Sequence, residues 1–263
     1  MTNIFDTHAH YASRQFDGDR ADLLAALPRG GVMGVLECAT HSGDAVRVLE
    51  LAHSAPYFHA AIGIHPESLI EEDAATVAVY HGDWRAELAA MRPLFEDKSV
   101  AAVGEIGLDH HWTVPRQEQY DLFEAQLQLA KELDLPVSVH DREAHAEMYE
   151  LLRKYKPRGA LHCYSGSADD AAWLVEQGMY LGFGGAVTYK GAKRAAKVLA
   201  AIPHERALLE TDCPYMAPEP VRGTRNDSRN IAHVAAYIGT IWDMDAQAVL
   251  DQTAQNARAC FGV

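Results

Sequence analysis

NIFDTHAH, residues 3–10, begins as an apolar strand and ends on two histidines one residue apart. Side chains alternate along a strand, so Asp6, His8 and His10 would share one side of it. Three polar groups on a core-facing side are costly unless something satisfies them. A bound metal ion is one answer, and the rest of the chain tests it.

Seven further strand candidates follow: GVMGVLECA (31–39), YFHAAIGIH (57–65), VAAVGEIGLD (100–109), PVSVHD (136–141), GALHCY (159–164), MYLGFGG (179–185) and RALLETD (206–212). Segments of helical spacing separate them. One carries Met148, Leu151, Leu152 and Tyr155 on a single face. Another opens after Ser167, a good N-cap, and stops at Gly178. Eight strands alternating with helices predict an α/β fold: a single-domain (β/α)8 barrel over 1–263, with an open doubly wound sheet as the alternative. The polar residues decide between them. The first strand ends on His8 and His10, the third on His65, the fourth holds Glu105, and the fifth, sixth and eighth supply His140, His162 and Asp212. A barrel gathers its carboxyl strand ends at one mouth, where its chemistry sits.

Four imidazoles and two carboxylates (His8, His10, Glu105, His140, His162, Asp212) could hold two divalent cations, with a carboxylate such as Glu105 bridging them. Imidazole-rich ligation suits Zn, Ni or Fe, and the carboxylates keep Mn or Mg open. Arg142 has the strand parity of His140 and could grip a phosphate oxygen bidentately. His65, Tyr164 and Arg225 are further substrate-contact candidates. Arg222, Arg225 and Arg229 follow the eighth strand, a region where barrels often bind phosphate.

Composition sets limits. The chain has 263 residues, is 48% hydrophobic and carries a net charge of −14, which argues against wrapping duplex nucleic acid through many phosphate contacts. Cys38, Cys163, Cys213 and Cys260 are scattered without a C-x-x-C pair, as expected of reduced thiols in a cytoplasmic protein. No run of residues is apolar enough for a membrane span, the start lacks the features of a secretion signal, and no obligate protein partner is implied.

DTHAH (6–10), GIHP (63–66), GEIGLD (104–109), VHDREA (139–144), HCYSG (162–166) and ETDCPYMAP (210–218), in this order, resemble the TatD-like metal-dependent hydrolases. The likeness runs from Asp6 to the NARACFG near the end. It implies a (β/α)8 barrel related to the amidohydrolases, with two divalent cations (Zn, Mn, Mg or Ni) per subunit. His8, His10 and Glu105 would hold one. Glu105, His140 and His162 would hold the other, and Asp212 would lie against the first cation and the attacking water. The implied activity is that of a deoxyribonuclease; the charge balance, −14 overall with a positive metal mouth, points to attack on single-stranded or frayed DNA ends, with Asp212 and Glu105 as catalytic residues. An ester or amide hydrolase, such as a D-aminoacyl-tRNA deacylase or a small-molecule amidohydrolase, is the alternative. This chain departs from the family pattern after the RG at 222–223, reading RGTRNDSRN. Thr224 replaces a usual Lys, Asp227-Ser228 a usual Glu-Pro, and His110 a common Tyr.

Overall fold

The computed structural model describes residues 1–263. Its eight strands are β1 (Ile4–Ala9), β2 (Val32–Cys38), β3 (Phe58–Ile62), β4 (Val100–Asp109), β5 (Val137–Arg142), β6 (Gly159–Leu161), β7 (Tyr180–Phe183) and β8 (Ala207–Leu209). They form one sheet in sequence order. Ala9 pairs in parallel with Cys213, just beyond β8, and closes the sheet into the (β/α)8 barrel. The helices are α1 (Arg20–Ala26), α2 (Ser42–Ser54), α3 (Ala75–Ala78), α4 (Trp84–Met91), α5 (Arg116–Leu133), α6 (His145–Tyr155), α7 (Ala168–Glu176), α8 (Lys193–Ala201), α9 (Ile231–Trp242) and α10 (Ala246–Phe261). Both sequence-marked helices are present. Met148, Leu151 and Leu152 of α6 are buried, and the Ser167 side chain caps α7 by accepting from the Asp170 amide.

The chain divides into two compact units, residues 1–37 with 161–263, and residues 38–160. In the first, Ile4, Leu36, Leu181, Phe183 and Leu208 fill the interior together with Ile238 of α9 and Val249 of α10. In the second, β4 is buried at all ten positions. A parallel strand covered on both faces reads as a continuous rather than an alternating apolar run, and VAAVGEIGLD does so apart from Glu105 and Asp109. Ile106, Leu108 and Val139 pack there with Phe123 and Leu127 of α5.

Several strands are shorter than their sequences suggest. β6 stops at Leu161, β8 at Leu209 and β3 at Ile62, so His162, Asp212 and His65 lie one to three residues past their strands. The backbone explains the first. Cys163 (φ 47°) adopts the left-handed conformation, which is uncommon for residues with a side chain and ends extended pairing. His65 caps the 3-10 turn Pro66–Leu69.

Asp6 is satisfied without an ion. Its Oδ1 accepts the amides of His8 (3.3 Å) and Thr211 (2.9 Å), and its Oδ2 accepts the hydroxyls of Thr211 (2.6 Å) and Ser228 (2.7 Å). Ser228, at the departure from the family's Glu-Pro, is also 2.7 Å from the Tyr11 hydroxyl and donates its amide to it. This buried network ties β1 to the segment after β8. Replacing Asp6 by Ala strands several buried donors, and the loss of stability should reach at least about 3 kcal/mol. Urea denaturation measures it; a change below about 1 kcal/mol would show that the network contributes little to holding the two segments together.

Candidate metal centre

The first unit gathers one set of donors. His8, fully buried on β1, presents its Nε2 3.1 Å from the Nε2 of His10, and that nitrogen lies 3.4 Å from Asp212 Oδ1. The barrel seam sets these positions, because the Asp212 amide donates to the His8 carbonyl and the His10 amide to that of Cys213, both at 2.9 Å. His162 stacks on His8 with ring centroids 3.8 Å apart. Burial works against charge on Asp212, but His10 beside it, with His162 and His8, holds the carboxyl below its ordinary range.

The second unit gathers another. Glu105 of β4 offers Oε1 to His140 Nδ1 at 3.0 Å and to His65 Nε2 at 3.5 Å. β5 runs in register with β4, pairing Gly107 with His140. Gly107 sits at φ +152°, and a Cβ there would come within 1.9 Å of the His140 carbonyl, so only glycine lets the strands close here. His65 Nδ1 accepts the Glu67 amide at 3.2 Å, which puts the proton of a neutral ring on Nε2, facing Glu105. Burial opposes protonation of His140, yet Asp109 and Glu105 outweigh it and push the imidazole up to about 10.

These donor sets fit divalent cations. In each of the groups His8–His10–Asp212 and His65–Glu105–His140, the potential ligand atoms lie within 4.8 Å of one another. Tetrahedral coordination at about 2.0–2.1 Å sets ligand atoms about 3.3 Å apart. The 3.1 and 3.4 Å separations around His10 Nε2 are of that size. Two facing imidazole nitrogens repel unless a proton or a cation lies between them. A proton held firmly between carboxylates, as on His140, marks a place where a cation can take over the same donors.

The substrate candidates are more dispersed. Arg142 ends β5 and is exposed, with its guanidinium 5.7 Å from the ring centre of Trp112, itself half-exposed. Tyr164 is buried, and its hydroxyl donates to the Ser167 carbonyl. Arg225 grips Asp19 through both terminal nitrogens, at 2.8 and 2.5 Å, and also reaches the Gln15 carbonyl. Arg229 pairs with Asp227, and Arg222 lies 3.9 Å from Glu219. The basic cluster after β8 is therefore largely neutralised.

Two buried acids escaped the sequence reading. Asp109 Oδ2 lies 3.0 Å from His140 Nε2, and Glu210 Oε1 lies 3.9 Å from His162 Nδ1 while accepting the Cys163 amide at 2.5 Å. Parity could have found both: Asp109 shares the strand side of Glu105, and Glu210 that of Asp212. A Cβ at Gly182 would strike the Glu210 carboxylate at 2.1 Å, so this glycine makes its room.

The family model for TatD related DNase matches residues 5–262. An uncharacterized metal-dependent hydrolase, YabD of Bacillus subtilis, is 34% identical over 99% of both chains. The 3'-5' ssDNA/RNA exonuclease TatD of Erwinia tasmaniensis is 31% identical over 99% of this chain and 100% of its own. The crystal structure of YjjV, a TatD homologue from Escherichia coli K12, superposes with a TM-score of 0.88 at 31% identity, covering 99% of this chain and 98% of that one.

Burial raises the carboxyl of Glu210 to about 8 from an ordinary 4.5. Its folded pKa thus exceeds its unfolded one, so its contribution to stability is complete below about 4.5 and is lost as pH rises through about 8. Chelator-treated protein should lose stability between pH 5 and 8. Glu210→Gln, which keeps an acceptor for the Cys163 amide, should remove on the order of a few kcal/mol of that decline. Urea midpoints across this range measure it; an unchanged pH slope in the variant would contradict the assignment.

Proposed function

The chain belongs to the family of TatD-related DNases, and from that premise we propose that it is a divalent-metal-dependent hydrolase that removes nucleotides from single-stranded or frayed DNA ends. One observation carries the reading: two compact sets of imidazole and carboxylate donors stand at or just past the carboxyl ends of barrel strands. That is the end of a (β/α)8 barrel where chemistry is done. The proposed ligands are His8, His10, Glu105, His140, His162 and Asp212, with Glu105 shared between two cations and residues 1–263 acting as one catalytic barrel. Such cations would supply Lewis-acid chemistry, acidifying a water and offsetting charge on a phosphodiester.

The chain's own residues do the rest. Asp212, held ionised by the histidines around it, accepts and relays the proton of the attacking water. Arg142 offers a planar pair of donors to a phosphate oxygen and sets the orientation of the phosphorus. His65, whose Nε2–H faces Glu105, is a further substrate contact beside the same centre. Two cations bring +4 and Glu105 with Asp212 take away two, leaving about +2 at the mouth of a chain whose net charge is −14. A phosphate that reaches the mouth is drawn in, while the body of a duplex is repelled. The relative named as an ssDNA/RNA exonuclease supports a single-stranded end as the substrate.

Zinc titration of chelated protein should reach two equivalents per chain. Glu105→Ala should lower both the stoichiometry and the turnover, the latter by at least about 100-fold, with the far-UV circular dichroism unchanged. Near-normal activity in this variant would remove Glu105 from its bridging role.

Substrate shape gives the second test. A linear single strand should be degraded from an end, and a closed single-stranded circle of the same sequence should survive. Equal rates on both would replace the end-directed reading with an endonuclease.

A further inference from the structure

Asp109 is the last residue of β4, fully buried, and no motif assigned to the centre includes it as a ligand. Each of its polar atoms has a partner. Its amide donates to Gln119 Oε1 at 2.7 Å, and its carbonyl accepts from Gln119 Nε2 at 3.0 Å. Gln119 is buried on α5 and so clamps the backbone of the strand end. Oδ1 accepts the His111 amide at 2.8 Å. Oδ2 is left facing His140 Nε2 at 3.0 Å, while His140 Nδ1 faces Glu105 Oε1 at 3.0 Å. The two nitrogens of one imidazole thus meet two carboxylates. Asp109 is fixed by bonds to its backbone and its side chain alike.

An ionised carboxylate only accepts, so the nitrogen that faces it carries a proton. A nitrogen that binds a cation needs its lone pair. We propose that Asp109 is a positioning residue that holds the Nε2–H tautomer of His140 and thereby commits Nδ1, beside Glu105, to a divalent cation. This inference rests on the reading of His140 as a ligand. Carboxylates behind ligating histidines commonly fix ring orientation in this way.

Asp109→Asn makes the claim testable, because the amide can satisfy its neighbours in only one orientation. The His111 amide requires an oxygen, which turns the NH2 toward His140 Nε2. That nitrogen must then be bare, and the ring proton moves to Nδ1, where Glu105 accepts it. The variant therefore stabilises the tautomer that cannot bind the cation. Asp109→Ala imposes neither tautomer. Zinc affinity at the weakened site should accordingly fall in the order wild type, Ala, Asn, with Asn lower than wild type by about 10- to 100-fold. A merely structural role would give the reverse order for the two variants, since Asn is the closer isostere. That reversed order would overturn the proposal.

The decisive readout is 15N-histidine NMR of the zinc-loaded wild-type protein, which does not depend on either variant folding. His140 should show a zinc-coupled Nδ1 and a protonated, hydrogen-bonded Nε2. Zinc on Nε2 would refute the role of Asp109 and leave the ligand reading intact. No zinc on either nitrogen would remove His140 from the ligand set, and this inference with it.

Discussion

The seam between β1 and the chain just past β8 is the constraint on which this structure turns. A sheet built from eight strands in sequence order has two edges until the first strand meets the last, and an open edge exposes unpaired backbone groups. Here the meeting is short: one bridge between Ala9 and Cys213 and the amides of Asp212 and His10 on the carbonyls of His8 and Cys213. Strand β8 itself contributes only three residues. Asp6 compensates with a four-donor buried carboxylate. The same seam fixes where His8, His10 and Asp212 stand, so closing the barrel and assembling one donor set are a single event.

Electrostatics organises the second donor set differently. Glu105, Asp109 and His140 form a line in which one imidazole is held between two carboxylates. Burial alone would keep that imidazole neutral, and the two acids win instead. Isolated from water, an arrangement like this resists change in its total charge, so a dication that arrives must displace a proton or be met by charge already in place. Glu210, raised by burial, is the opposite case: an acid kept protonated near neutral pH in a pocket made by Gly182.

Much of this was legible in the sequence. The alternation of eight apolar runs with helical spacing pointed to an α/β fold, and the ionisable residues recurring near six of the strand ends chose the barrel and marked where to look. The exact strand ends were not legible, because a left-handed residue such as Cys163 stops pairing early for reasons that its side-chain type does not announce. Asp6 read as a partner of His8 and His10 by parity, yet Thr211 and Ser228, more than 200 residues away, take up its oxygens. Asp109 and Glu210 were passed over because their strands had already supplied one acid each, Glu105 and Asp212. Arg225 read as part of a phosphate site because its acidic partner lies elsewhere in the chain: Asp19 is 206 residues away.

That pairing of Arg222, Arg225 and Arg229 with Glu219, Asp19 and Asp227 bears on how a polyanion would be greeted. Proteins that hold nucleic acid with free lysines and arginines do so largely by expelling condensed counterions, and their affinity collapses as salt rises. A loop whose cations are already spoken for expels few. Such a loop would add little to the salt dependence with which any polyanion is bound.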